Sequence, residues 1–489
     1  MMAYKRGKNR EQLTLLPLCL DEIIEPNSIC RVLAAYVGQL DMAAMGFKYS
    51  EPKATGRPPY DPASMLMLYL YGYLNHLRSS RRLEAETKRN VEVMWLMEKL
   101  TPDDKTISNF RKDNTAAIKK VFRAFSIWCN RQGLYGKELV AVDGTKIRAN
   151  SSRKNIYTQK HTETAVVFVD KKINEYMNVL AENDTAESAE DADTAFSQEK
   201  INKALEKLNA RKTVLTERLT QIKANGGKEI STVDPDAQIM RQGGDGRKLD
   251  ACYNVQAVVD SKNKLVVDFE VNTQPEDYGS LSVMADSAKE IMEVVTIKAV
   301  ADKGYYGGDD LAKCEKSGII CYAPKLDNGR PVPNPAYSRD KFIYDSAANS
   351  YICPEGYVLH VLKPRKGKDG NTIFAYSNRT ACRGCQQRCH CTNDKRGREI
   401  SRSANQEMLE AIDARMHTDE GCHMMRERRK IVEHPFGTIK YVWGYRQFLC
   451  RGIKKTTAEG ALAFLAYNLR RVFNIFQDEG RNLLEALAQ

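Results

Sequence analysis

The sequence predicts a mixed α/β protein: a sheet domain with two insertions, preceded by an all-helical domain. Three observations carry this. Short apolar runs, two of them ending in Asp with a glycine one or two residues on, alternate with helical patterns between residues 137 and 325. A Pro-capped, wholly helical pattern comes before them. Two stretches of different composition, one helical and one rich in cysteine, interrupt the alternation. A chain of 489 residues has room for two or three domains with sizeable cores.

Taken in order, residues 1–56 carry short helical patterns, among them 28–40 with apolar Ile29, Val32, Leu33, Tyr36 and Val37. A Pro- and Gly-rich linker at 51–60 follows. Asp61 is placed to cap a helix whose first position is Pro62, and the uncharged run 62–77 is expected to be a buried helix. Ser79 and Ser80 open the next helix, and Thr101-Pro102-Asp103-Asp104 opens a third. Arg81, Arg82, Lys88, Arg89 and Arg111 on these short helices suggest a helix-turn-helix-like DNA-binding module over 57–130. A small structural bundle accounts for the same pattern, and both readings stand at this point.

The run 139–142 reads as a buried strand ending in Asp143-Gly144. Residues 160–228 then read as a helical hairpin insertion. Ile201, Leu205, Leu208, Leu215, Leu219 and Ile222 repeat at coiled-coil spacing, broken at Lys212. Its tip, 182–193, is acidic and expected to be solvated. After Gly243-Gly244-Asp245-Gly246, the runs 253–259 and 265–271 read as a hairpin. A helix at 279–294, a strand at 297–301 ending in Asp302, a helix at 309–316 and a strand at 319–323 follow. Without insertions the order is βββαβαβα, which is expected of a ribonuclease H-like fold. The core is thus placed at 137–325 and 422–477, with a cysteine-rich insertion at 326–421.

Net charge is +12, and residues 421–456 hold nine Lys or Arg against two acids. Such a stripe points to nucleic acid, less often to an acidic membrane surface. No run is long enough to span a bilayer. The opening MMAYKRGKNREQ has no apolar stretch, so a cytoplasmic protein is expected. Thirteen cysteines then read as thiols rather than a disulfide framework.

Three carboxylates draw attention. Asp143 and Asp302 each end an apolar strand just before a glycine, and in the order above those two strands are neighbours. Glu433 lies on the closing helix among Arg426, Arg428, Arg429, Lys430 and Lys440. Converging carboxylates repel unless hard cations neutralise them, and Mg²⁺ (or Mn²⁺) suits all-oxygen ligands. Two such ions supply activation of an attacking oxygen and stabilisation of a leaving one at phosphorus. Each residue also has a plain reading. Asp143-Gly144 reads as a hairpin turn, Asp302 as a turn cap, and Arg429 with Glu433 as a surface i,i+4 pair. Asp260, Asp268, Asp277 and Asp286 are rival carboxylates in the same domain.

Arg429, Glu433 and Lys440 spell R-x3-E-x6-K, and on an unbroken helix they share one face. Pro435 makes a kink or break near His434 the expectation. The stretches VAVDGTKIRANSS (140–152), AVADKGYYG (299–307), EHPFGTIKYVWGYRQFLCRG (433–452) and AYNLRR (466–471) resemble the DDE transposases of bacterial insertion sequences. GRPPYDPASMLMLYLYGYL, SSRRLEAETKRNVEVMWL and PDDKTISNFR resemble their N-terminal domain. The resemblance implies metal ligation by Asp143, Asp302 and Glu433, and DNA-end contacts by Arg429 and Lys440. Arg426 stands where the signature usually has tyrosine, and it is counted with the DNA-binding cations. The implied partner is double-stranded DNA, gripped by a homodimer, with terminal repeats cut and their 3′-hydroxyls joined to a target. A nuclease without strand transfer, or a catalytically silent DNA-binding descendant, are the alternatives.

Cys382-Arg383-Gly384-Cys385 is a C-x2-C pair, suited with a second pair to tetrahedral Zn²⁺. Cys353, Cys382, Cys385 and Cys391 match the spacing seen in related transposases, which implies a structural zinc. Cys389 and His390 are competing ligands, and free thiols are the plain alternative.

Overall fold

A computed structural model of the chain describes residues 19–51, 58–185, 192–227, 229–242, 248–325, 333–366 and 372–488. The glycine run 243–246, part of the linker and the acidic hairpin tip fall outside the described residues or their side chains. The chain divides into two compact units.

One unit joins the residues up to 133 with 437–445 and 454–488, and among the described residues every regular element in it is helical. Local chemistry sets the helix starts. Ser28 accepts from the Cys30 N–H and caps Ile29–Gly38. Asp61 accepts from Ala63 N, with Pro62 at the first position of Pro62–Leu74. Asp103 takes the Thr106 N–H at the start of Asp104–Asp113. Eleven of the thirteen residues in Pro62–Leu74 are buried, as its uncharged sequence requires. Thr115–Arg131 and Ile453–Asp478 supply the long helices. Among the described residues no helix is long and apolar enough to cross a membrane.

The other unit spans 134–436 with 446–453 and is built on a mixed six-stranded sheet. Its strands are β1 (Leu139–Arg148), β2 (Gln238–Gln242), β3 (Lys248–Asp260), β4 (Val266–Asn272), β5 (Ile297–Val300) and β6 (Ile319–Tyr322). β1 is central. It pairs antiparallel with β3 on one side and parallel with β5 on the other, and β6 runs parallel beyond β5. The far edge of β3 is shared: β2 pairs with its first half and β4 with its second. Helix α1 (Leu281–Met292) connects β4 to β5, α2 (Gly308–Lys316) connects β5 to β6, and α3 (Asp419–Phe436) comes after the insertion. The element order is the expected one, with β2 added. β1 also outruns its apolar stretch. Asp143 and Gly144 pair with Ala257 and Gln256 in mid-strand, so Asp143-Gly144 is neither a turn nor a strand end.

Two insertions leave this sheet. The first is the pair of long helices Gln159–Thr185 and Ala192–Ala224. Leu205, Leu215 and Ile222 are buried as the spacing demands, and Lys212, which breaks the spacing, reaches Asp170 at 2.7 Å. The second is an antiparallel six-stranded sheet between Ile343 and Ser403. Phe342, Tyr351, Leu359, Tyr376 and Ile400 form its core.

Candidate active site

The parallel pairing of β1 with β5 positions two carboxylates. β5 pairs with Leu139–Ala141 only, so its chain leaves the sheet beside Asp143, and Asp302 follows two residues after the strand. The Asp302 carboxylate accepts the Gly304 N–H at 2.7 Å, so it does cap the turn, as the plain reading expects. Its second oxygen, Oδ2, is left for a cation.

Between them lies an arginine. Arg428 Nη2 on α3 is 3.2 Å from Asp143 Oδ2 and 3.8 Å from Asp302 Oδ2. The Arg428 side chain is 14% exposed, and its Nε is buried without a partner among the described residues. Burial pushes the Asp143 carboxyl up to about 6. The Arg428 guanidinium pulls it down, and Asp302 raises it again.

A polar network backs this pair. Asp277, from the loop before α1, accepts on one oxygen from Lys146 Nζ at 2.8 Å, Asn254 Nδ2 at 2.8 Å and Gln256 Nε2 at 2.7 Å. The Tyr305 hydroxyl donates to Gln256 Oε1. Gly144 is required by this packing. A Cβ there would stand 2.4 Å from Gln256 Nε2 and 2.7 Å from Asp277 Oδ1. Gly144→Ala is therefore expected to displace the network and destabilise the protein by roughly 1–3 kcal/mol. A thermal melt measures it, and an unchanged melting temperature would show that the network gives way freely.

Glu433 is on the same helix as Arg428 but exposed. Among the described residues, no three His, Cys, Asp or Glu side chains are arranged to hold a metal. The structure thus brings Asp143 and Asp302 together and does not close Glu433 onto them. Arg426 and Arg429 are exposed on α3, and no ion pair joins Arg429 to Glu433 among the described residues. Pro435 does not break the helix. α3 runs through it to Phe436, and Gly437–Val442 continues as a π-helix. In π winding each N–H reaches one residue further back, so a carbonyl deprived of the proline N–H can be served by the next residue. The straight-helix offset to Lys440 does not hold, and Lys440 belongs to the helical unit.

In the helical unit Arg81 and Arg82 are exposed, with Arg81 Nε 3.3 Å from Asp104. Arg111 corrects the expectation. It is 6% exposed, lies over the Tyr69 ring at 5.4 Å and donates to the Tyr73 hydroxyl at 3.4 Å. It is a core cation, unavailable to DNA.

Cys353, Cys382, Cys385 and Cys391 line one cavity of the insertion, with Tyr337, Phe342 and Arg398. Burial and the neighbouring cysteines push the Cys391 thiol up. The four are gathered but not drawn into a closed ligand set, so zinc is not supported.

Two family matches bear on this arrangement. Residues 352–473 match the Transposase DDE domain, and residues 18–113 match a further Transposase domain. Together they support a DDE transposase of an insertion-sequence type, a class that generally uses divalent metals such as Mg²⁺. Glu433, Arg429, Lys440 and the four cysteines lie inside the first match, whereas Asp143 and Asp302 lie outside both. No curated protein matches the chain. One similar solved structure is the piggyBac transposase synaptic complex with hairpin DNA. It is 9% identical with a TM-score of 0.34, over 95% of this chain and 79% of that one, too remote to show a shared fold.

Sequence reasoning missed two parts of the site, Arg428 as the partner of both aspartates and Asp277 as the centre of the network. Arg428 had a legible signal. It stands four residues before buried Val432 and seven before buried Pro435, on the inward face of α3.

Proposed function

We propose that this protein binds the terminal repeats of an insertion sequence, cuts DNA there and joins the 3′-hydroxyl ends to target DNA. The observation that carries the reading is the convergence of Asp143, on β1, and Asp302, just past the end of the neighbouring parallel strand β5, around one cation from α3. The sheet, with β1 central, three antiparallel pairings and two parallel ones, is read as a ribonuclease H-like core.

Asp143, Asp302 and Glu433 would hold two Mg²⁺ ions, with Glu433 the residue still to be gathered in. All-oxygen ligands and a counter-cation already seated between two of them fit a hard divalent ion. Such ions, when bound, supply charge neutralisation and oxygen activation at phosphorus. The chain's own residues then have distinct tasks. Asp277 and its donors hold the floor beneath Gly144 rigid. Arg429 and Arg426, exposed on the same helix as Glu433, are disposed to take DNA phosphates, as are Lys440, Arg81 and Arg82. Two copies working on two ends, in the cytoplasm, complete the reading.

The test is an assay of purified protein with duplexes carrying the repeats that flank its gene, with Mg²⁺ and target DNA. Joined products are expected. Cut-only products would mean a nuclease, and a mobility shift without cutting would mean a binding protein.

A further inference from the structure

A second cavity, of about 530 Å³, opens in the sheet unit at the far end of β1. Arg148, Asn150, Arg153, Asp250, Gln447 and Arg451 line it, three guanidiniums against one carboxylate. The site is built, because the segment after the π-helix is stitched to the end of β1. Arg148 N donates to Arg446 O at 3.2 Å and Phe448 N to Arg148 O at 2.8 Å. Gln447 Nε2 donates to Ala149 O at 3.2 Å, Asn150 Nδ2 to Leu449 O at 2.6 Å, and Arg451 Nε to Asn150 O at 3.1 Å. The Arg148 and Arg153 guanidiniums, in contrast, have no acceptor among the described residues.

We propose that this cavity takes the phosphodiester backbone of the DNA that flanks the reacting phosphate; the proposal rests on the transposase reading above. Guanidinium forks match phosphate oxygens in pairs, and three of them on a concave, polar wall outweigh the single carboxylate of Asp250. Arg148 lies five residues beyond Asp143, or roughly 17 Å along the strand. At about 3.4 Å per phosphate, that is about five nucleotides from the carboxylates. The odd offset puts Arg148 on the face of β1 opposite Asp143. The cavity therefore lies round the edge of the sheet from the aspartates, where it can hold flanking DNA without entering the reaction.

The test uses the full chain in EDTA, so that divalent ions at the carboxylates play no part. Wild type and Arg148→Gln/Arg153→Gln are titrated with duplexes of 10 and 30 base pairs over a range of salt. Arg451 is left alone because its Nε supports the Asn150 carbonyl. Loss of two phosphate contacts should lower the salt slope by about 1.8 and weaken the long duplex at least tenfold at low salt. Melting temperatures should match, which separates lost contacts from misfolding. Equal affinities and slopes in the two proteins would overturn the proposal. So would stabilisation by inorganic phosphate that the double variant loses while its duplex binding is unchanged, since the cavity would then be a small-anion site. A wild type that binds neither duplex at any salt would overturn the transposase reading itself, and this proposal with it.

Discussion

Asp143→Asn and Asp302→Asn should each reduce DNA cleavage by roughly 10³-fold or more, on the scale of losing a group that stabilises charge in the transition state. The amide keeps the size of the side chain and loses the charge that a divalent ion needs. Their surroundings differ, and so should the secondary effects. Asp302 also caps its turn through the Gly304 N–H, and an asparagine oxygen can still accept that bond, so Asp302→Asn should fold normally. Asp143 is the more buried of the two, and burial already pushes it up to about 6. Asp143→Asn removes a charge that costs desolvation, so it should leave the metal-free protein as stable as wild type or more so. Both variants should bind repeat-bearing duplexes in EDTA as wild type does. Cleavage is followed on end-labelled duplex with Mg²⁺, and binding by mobility shift. A variant cutting within tenfold of wild type would remove that aspartate from the site. If Asp277→Asn lost cutting while Asp302→Asn kept it, Asp277 would be the ligand instead.

The core was legible because its strands announce themselves. Leu139–Val142 is apolar on both faces, and Ile297–Val300 is interrupted only by Lys298, which reaches Glu420, as suits strands flanked by helices. With β1 and β5 as neighbours, Asp143 and Asp302 come to one edge of the sheet. The readings that failed did so for shared reasons. Asp-Gly is a turn signal only when the chain is free to turn, and here Gly144 is dictated by Gln256 and Asp277 pressing on it from non-adjacent segments. Those contacts are invisible to spacing. Arg111 and Arg428 both stand among cations that the sequence pattern points toward nucleic acid, although each follows the apolar period of its own helix. Arg111 comes four residues after buried Ile107, and Arg428 four before buried Val432. A cation on a buried face is a signal for an internal partner: Tyr73 in one case, two carboxylates in the other. The insertion's sheet was hidden for a different reason. Its strands are short and half-exposed, and the cysteines that dominate its composition lie largely outside them.

Arg428→Ala should do two opposite things, and their combination is the distinguishing result. Without divalent ions the guanidinium is the cation between Asp143 and Asp302, and removing it leaves two carboxylates facing each other. Breaking a buried pair costs about 3–5 kcal/mol when a charge is stranded. The loss here should be smaller, roughly 1–3 kcal/mol, because Asp143 can take up a proton. Arg428 holds that carboxyl down, so without it Asp143 rises further above about 6 and is partly neutral near pH 7. The variant should therefore melt lower than wild type in EDTA. With Mn²⁺ or Mg²⁺ the order should narrow or reverse. An arriving ion no longer has to displace a guanidinium, and about 1.4 kcal/mol of lost competition is tenfold in affinity. Titration calorimetry with Mn²⁺ should then show roughly tenfold tighter binding in the variant, and Mn²⁺ should raise its melting temperature by more than it raises that of wild type. Arg428→Lys keeps the charge but has one ammonium where the guanidinium spreads over two carboxylates, so it should fall between. Equal melts in EDTA together with unchanged Mn²⁺ affinity would mean that Arg428 neither holds the aspartates nor competes for them. Weaker Mn²⁺ binding in the variant would mean that the arginine organises the site for the ion instead of standing in for it.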